Sequence, residues 1–410
     1  MLKTLRGIAL TLTTALGLIL VGASLPISWN LATGLLATVS RSDGRAVPIQ
    51  NADLTGSGPG SLISAVTMPG LAASSDGIHL QAARVVYRST SGDGGAPTVV
   101  SGAVFVPLGV SPSGGWPVVA FGHGTTGIDE PCAPSASDSL MGVSGVVAGL
   151  AAKGFAVAMP DYEGLGEPGV HPYTDARTAG LNMIDAVRAL RSTFKDVSNR
   201  WAALGHSQGG GAAWAADEWA RDYAPELDLV GAVALAPAAD VAGFVDKAQN
   251  GTLTPDQRLA FVLLVESTAR RFPYLNRDDY RRGSATQSWD VLSACAGPLV
   301  DQRPAAALEL TPKDLEPRSP AAATRLRERL QAWALPQRAL SAPMYVVYGS
   351  ADTLVDAQWT TDAIQRACAL GGTIAWEEQA GKGHADIDFS QALSWIVDRF
   401  AGKLVANDCR

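Results

Sequence analysis

Arg200-Trp201-Ala202-Ala203-Leu204-Gly205-His206-Ser207-Gln208-Gly209-Gly210-Gly211 sets an apolar run, a G-x-S-x-G pentapeptide and a helix-favouring segment in direct succession. The pentapeptide alone is weak in a chain of 410 residues with 43 glycines, and its setting makes it specific. Trp201 to Leu204 reads as a strand and Gly209 to Arg221 as a helix, the strand-turn-helix context of a nucleophile elbow. So sharp a turn strains the backbone of Ser207 and requires small residues two positions away on either side, a need that Gly205 and Gly209 meet. Gly210 and Gly211 would let the helix pack closely on the sheet.

Outward from this turn, short β-branched runs alternate with longer helix-favouring ones. The runs are VVSGAVFVP (99–107), PVVAFGHG (117–124), FAVAMPDYEG (155–164), LVGAVALAP (229–237), PMYVVYGS (343–350) and TIAWEEQ (373–379). Such alternation implies a mostly parallel central sheet flanked by helices on both faces. With the elbow, it predicts an α/β-hydrolase fold with its core in 76–238 and 341–410. Residues 239–340 break the rhythm with charged, strand-poor segments such as DQRLAFVLLVESTARRF (256–272) and AAATRLRERLQAWAL (321–335). They read as an inserted helical cap, or lid, over the carboxyl edge of the sheet. Phe261 to Val265 reads as cap core before acyl tunnel, and the pairs Arg270-Arg271 and Arg281-Arg282 as exposed helix charges. Residues 24–75, rich in Gly, Ser and Pro, read as an extended N-terminal segment.

A serine hydroxyl attacks only when an imidazole takes its proton. In this fold the order is serine, acid, histidine. His79, His123 and His171 precede Ser207, and His206 should point away from it, which leaves His384, in a loop after the strand 373–379. The acid belongs just beyond the preceding strand, and Asp352 in Gly349-Ser350-Ala351-Asp352 is the candidate. Asp356 is the alternative, placed where it reads equally as an N-terminal helix cap. For the oxyanion hole, one N–H should come from Gln208. The other should come from the loop Gly122-His123-Gly124-Thr125-Thr126-Gly127, with Thr125 as donor and Thr126 as alternative. That loop lacks the G-K-[ST] of a phosphate cradle. Asp161-Tyr162-Glu163-Gly164-Leu165-Gly166 reads as a structural turn before a substrate border, and Asp129 and Glu130 as solvated.

With 47% hydrophobic residues, 17% charged residues and a net charge of −7, the chain can bury a large core and carries no basic block for nucleic acid. MLKTLR followed by an apolar stretch to Ala23 has the layout of a secretory signal peptide over residues 1–23, with small residues Val21 and Ala23 before a plausible cut; an uncleaved anchor is the alternative. A secreted or periplasmic location follows. Cys132, Cys295, Cys368 and Cys409 show no metal spacing, and in an exported protein their even number favours disulfides. Cys368 with Cys409 and Cys132 with Cys295 is the preferred pairing among three possible connectivities.

These residues resemble the secretory lipase family of α/β-hydrolases, the family of Candida lipase A and its bacterial relatives. The resemblance covers roughly 100–400. It rests on Gly205-His206-Ser207-Gln208-Gly209-Gly210, Cys132-Ala133-Pro134-Ser135 and Pro160-Asp161-Tyr162-Glu163-Gly164. It rests also on the late Gly-Ser-Ala-Asp352 and Gly-His384 elements and on the cap between them. Two features depart from the family: His206 stands where it often has Tyr, and the Gly122 to Gly127 loop is closer to general esterases. The resemblance implies triacylglycerol lipase or carboxylesterase activity on a small-molecule or lipid ester, with the triad Ser207, Asp352 and His384, no cofactor, no metal and transient contact with a lipid interface. It also supports a disulfide involving Cys132. Acyl transfer to an alcohol or peptide cleavage could use the same triad, and a non-catalytic binding protein on a hydrolase scaffold is the reading from another class.

Overall fold

A computed structural model of the chain describes residues 44–409. The signal-peptide segment 1–23 lies outside the described residues, and no helix among them is long and apolar enough to cross a membrane. Nine strands form a single sheet: β1 (Leu62–Thr67), β2 (Leu80–Thr90), β3 (Pro97–Pro107), β4 (Trp116–Gly122), β5 (Ala156–Pro160), β6 (Val197–His206), β7 (Asp228–Leu235), β8 (Met344–Gly349) and β9 (Ile374–Gln379). Their order is β1-β2-β3-β5-β4-β6-β7-β8-β9. From β5 to β9 every neighbour pair is parallel, while β1, β2 and β3 join antiparallel on one edge. The sheet is therefore mostly parallel, as the alternation implied.

Of the segment 24–75, read as extended, residues 24–43 lie outside the described residues, and the described part contains β1, which pairs with β2. β2 itself went unread. Its sequence LQAARVVYRST mixes apolar and polar side chains without clean alternation, and pairing on both edges overrides that weak local signal.

Helices cover both faces. On one side lie α2 (Ala176–Thr193), α3 (Gln208–Tyr223) and α9 (Ala357–Ala369), around a core containing Trp201, Trp214, Ile184 and Ile364. On the other lie α1 (Ser144–Ala152) and α10 (Ser390–Phe400), with Val147, Leu150 and Ile396 packed on Val119, Val157 and Val233. The central strands of such a sheet face apolar layers on both sides, which is why their sequences run almost uninterrupted in Val and Ala.

Between β7 and β8 the chain forms α4 (Gly243–Gln249), α5 (Pro255–Arg271), α6 (Gly283–Ser293), α7 (Arg303–Glu309) and α8 (Pro320–Trp333). These pack around a core of their own in which Phe261 to Val265 are all buried beside Trp289, Leu326 and Trp333. The cap arginines are not merely exposed charges: Arg271 pairs with Glu163 at 3.1 Å, and Arg270 pairs with Asp129 at 2.6 Å. Asp129 is accordingly an ion-pair partner of the cap and not just solvated.

The entry and exit of this insertion are tied, Leu335 N donating to the Ala239 carbonyl at 2.7 Å. Just after the exit, Gln337 N donates to the buried Glu218 carboxyl, which also accepts from Trp214 Nε1. Two disulfides, Cys132–Cys295 and Cys368–Cys409, match the preferred pairing. The first joins the loop after β4 to the cap, and the second fastens the C-terminus to α9.

Burial raises the pKa of Glu218 from 4.5 to about 7, against the pull of its Gln337 and Trp214 hydrogen bonds. The folded state thus holds this proton more tightly than the unfolded one. Stability of this origin is complete below about pH 4.5 and is lost as pH rises through 7, on the order of 3 kcal/mol in all. Chemical denaturation of Glu218→Gln across pH 5 to 8 should show that part of the slope removed.

Candidate active site

The site is built where β6 turns into α3. Ser207 sits at the turn with φ 59° and ψ −119°, a left-handed conformation costly for any residue with a side chain. A Cβ on Gly205 would fall 1.9 Å from the Gly209 carbonyl oxygen, and one on Gly209 would fall 2.0 Å from the Gly122 carbonyl oxygen. No side chain fits at either place. The strained residue is held by backbone on both sides, Ser207 N donating to Leu235 O at 2.9 Å and Ala238 N donating to Ser207 O at 3.0 Å.

Ser207, His384 and Asp352 come together. His384 Nε2 lies 2.8 Å from Ser207 Oγ, and His384 Nδ1 lies 2.6 Å from Asp352 Oδ2. The other Asp352 oxygen accepts from Leu354 N at 2.8 Å and Val355 N at 3.0 Å, which fixes the direction of the carboxylate. Nδ1–H donating to Asp352 leaves Nε2 as the lone-pair nitrogen facing the serine, the tautomer a general base requires.

Asp356 goes elsewhere. It stands at the N-cap position of α9, but its carboxylate accepts from Lys247 Nζ at 2.8 Å and Gln257 Nε2 at 2.9 Å, both from the cap. At the start of α5, Thr254 and Gln257 form a capping box, and Thr254 Oγ1 also donates to Thr353 O at 2.9 Å. The cap thereby grips the very loop that carries Asp352.

The oxyanion candidates lie beside the serine. Gln208 is the first residue of α3, where a backbone N–H has no partner within the helix. Gly124 and Thr125 line one cavity with Ser207 and His384, and the Thr125 hydroxyl lies 2.9 Å from the Tyr173 hydroxyl. Thr126 is not on that wall, and its hydroxyl is buried with no hydrogen-bond partner. The cavity holds about 360 Å³, with Leu259, Ala260, Leu263 and Leu354 as its apolar side and Tyr173, Asp256 and Arg303 among its polar groups. Leu263, read as cap core, therefore also reaches the site.

Sequence reasoning passed over two histidines that touch this machinery. His206 lines the same cavity as Ser207 and His384, and its Nε2 lies 2.8 Å from the His384 carbonyl, so it steadies the backbone of the base loop. His171 is fully buried, with Nδ1–H donating to Glu163 O at 2.8 Å and Nε2 accepting from Gln208 Nε2 at 2.8 Å. It thereby holds the side chain of Gln208, the residue that follows Ser207. No local motif marks His171, since α2, α3 and the loop before Tyr173 meet only in the fold. Asp161 is a structural hub, fully buried and accepting from Ser101 Oγ at 2.6 Å and Ser135 N at 2.8 Å, in line with the structural-turn reading.

A family model described as Secretory lipase matches residues 140–408. The chain is 26% identical over 347 residues to a probable inactive lipase, MT1628, of Mycobacterium tuberculosis (strain CDC 1551 / Oshkosh), spanning 78% of this chain and 74% of that one. Candida antarctica lipase A shares its fold with a TM-score of 0.67 at 19% identity, over 86% of this chain and 84% of that one. The rice cell wall degrading esterase LipA from Xanthomonas oryzae, in a ligand-bound form, gives 0.66 at 20% identity, over 84% and 98%.

Two tests follow from this geometry. Asp352→Asn keeps the shape and loses the charge that orients His384, so kcat should fall on the order of 10⁴-fold. Asp356→Asn should instead cost about 1 kcal/mol of stability, read by thermal unfolding, and spare that loss. His171 is the second case: burial pushes its pKa down from 6.5 to about 4. A depressed folded pKa means that the unfolded chain binds the proton first. Stability is thus full above about pH 6.5 and lost as pH falls through 4, and His171→Gln should flatten that limb in acid denaturation.

Proposed function

Because the chain belongs to the secretory lipase family, a family of lipolytic hydrolases, we propose that it hydrolyses carboxylic esters through an acyl-enzyme on Ser207. The observation that carries this reading is the unbroken hydrogen-bonded series Asp352–His384–Ser207 at the floor of a half-apolar cavity. In the first half-reaction Ser207 Oγ attacks the ester carbonyl as its proton passes to His384 Nε2. Asp352 holds the imidazolium that forms. The oxyanion receives N–H groups from Gln208 and Thr125, each worth roughly 2.7 to 4 kcal/mol in comparable sites. His384 then gives its proton to the departing alkoxide, which leaves as the alcohol. Water enters and attacks the acyl carbon as it loses a proton to His384, which then returns that proton to Ser207 Oγ as the acid leaves, restoring both residues.

Residues 239–340 act in this reading as the cap that supplies the acyl wall through Leu259, Ala260 and Leu263. Acylglycerols fit such a wall, and Leu308 on the cap, 88% exposed, is an apolar contact for a lipid interface. The protein works outside the cytoplasm, where disulfides persist, after export directed by residues 1–23.

A second reading takes its motive from the relative named as probably inactive: a binding protein on a hydrolase scaffold. Against it stands the complete set of nucleophile, base and acid within hydrogen-bond reach, a set that binding alone does not require.

The deciding assay is hydrolysis of p-nitrophenyl esters from acetyl to palmitoyl by the protein and by Ser207→Ala. Turnover should fall on the order of a million-fold in the variant, and the chain-length optimum will separate lipase from short-chain esterase. Equal rates in both proteins, or none in either, would defeat the proposal, and transfer to an added alcohol in place of hydrolysis would redirect it to an acyltransferase.

A further inference from the structure

The cavity beside Ser207 has one feature that neutral-ester hydrolysis does not use. Arg303, the first residue of α7, brings a half-buried guanidinium to the same wall as Thr125 and Tyr173. A guanidinium carries five N–H donors. For Arg303 a single hydrogen bond engages them, Nη1 to the Ala294 carbonyl at 3.3 Å. No carboxylate among the described residues forms an ion pair with it. Of the other cap arginines, Arg271 pairs with Glu163 and Asp93, Arg277 with Glu266, Arg325 with Asp279 and Arg327 with Asp246, while Arg258 and Arg318 lack an ion pair as Arg303 does but donate to backbone carbonyls and do not line this cavity.

Asp256 stands on the same cavity wall, but it is exposed, forms no ion pair with Arg303 and lies in the first turn of α5, where the helix dipole already favours a negative charge. Its field is screened by water to a degree that a half-buried cation's is not. Burial holds the Arg303 pKa below its ordinary value, with only Tyr173 acting the other way, as expected of a cation that lacks a counter-charge.

Burying charge without a partner is unfavourable, so the position makes physical sense if the partner arrives with the ligand. We propose that Arg303 is a specificity residue that makes this cavity a subsite for an ionised acid group on the substrate. The preferred substrates are then esters whose acyl or alcohol part carries a second, anionic oxygen acid, such as a dicarboxylate half-ester or a phosphorylated acylglycerol. This rests on Ser207 acting as proposed above. Charge-assisted pairing of guanidinium with carboxylate or phosphate supplies the recognition, and the apolar wall formed by Leu259 and Leu263 holds the methylenes between the two ends.

The test uses two matched pairs. For the acyl side, kcat/KM is measured for p-nitrophenyl hexanoate and for the p-nitrophenyl half-ester of adipic acid. For the alcohol side, it is measured for 1-butyrylglycerol and for 1-butyrylglycerol 3-phosphate. In at least one pair the anionic member should be preferred, and the preference should shrink with added salt. In Arg303→Gln the anionic-to-neutral ratio should fall at least roughly tenfold, with partial recovery in Arg303→Lys. The pair that responds tells which side of the ester carries the anion.

A ratio that does not move, or neutral and anionic esters falling by one common factor, overturns the proposal. The common factor would assign Arg303 to the oxyanion instead. Calorimetric binding of monoethyl adipate to Ser207→Ala, with and without Arg303→Gln, needs no turnover and so separates failure of this subsite from failure of the hydrolase reading. A tenfold loss of affinity in the double variant supports the subsite, and equal affinity removes it.

Discussion

A Cβ on Gly205 would collide with the Gly209 carbonyl, and one on Gly209 with the Gly122 carbonyl, so β4, β6 and the first turn of α3 meet backbone against backbone. That close approach is the constraint on which the site depends. It lets Ser207 keep a positive φ at the turn and brings Gly209, next to Gln208, against the Gly122 and His123 carbonyls at the start of the loop from Gly122 to Gly127. Side chains at any of the three glycines would push the elbow away from that loop. The strain is met by bonds from β7 and the segment after it to the backbone of Ser207, so it is distributed through the sheet and not borne by the turn alone.

Around the elbow several supporting polar groups are hydrogen-bonded to one another. His171 holds the Gln208 side chain, Asp161 gathers Ser101 and Ser135 beneath the loop that follows β5, and His206 steadies the carbonyl of His384. Their hydrogen bonds are short and local to the fold, and a buried donor or acceptor left without its partner is costly. The side chains of Ser207, His384 and Asp352 thus inherit fixed positions from these neighbours. The cap takes part in the same way, because Lys247 and Gln257 hold Asp356 while Thr254 holds Thr353, immediately after Asp352.

Much of this was legible in the residues. The strands from β4 to β8 announce themselves because parallel strands buried on both faces need near-continuous Val and Ala, β3 does so because it is buried along most of its length although antiparallel, and the elbow announces itself because only glycine tolerates its contacts. Asp352 and His384 follow from the order of elements once the elbow is found. β1 and β2 were missed because an antiparallel edge mixes polar and apolar residues with little pattern, and pairing does what propensity does not. Asp356 could not be separated from Asp352 by position alone; the difference lies in Lys247 and Gln257, more than 90 residues earlier, that claim its carboxylate. Arg303 escaped notice for the opposite reason, since what sets it apart is a partner that does not come, and no sequence pattern records that.

The Cys132–Cys295 bridge joins the segment following the Gly122 to Gly127 loop to the far end of α6. A Cβ on Gly127 would lie 2.3 Å from Cys132 Sγ and 2.6 Å from Cys295 Cβ, so that loop rests directly on the bridge. Insertions at this point of the fold are, in general, modules that can diverge or be exchanged while the sheet stays constant. Here the module is not independent. Any exchange of the cap must bring a cysteine able to reach Cys132 in the same place, or it disturbs the loop proposed above to receive negative charge from the substrate. Substrate range and catalytic competence are therefore inherited together, and variation in the cap is confined to the helices that the bridge leaves at liberty.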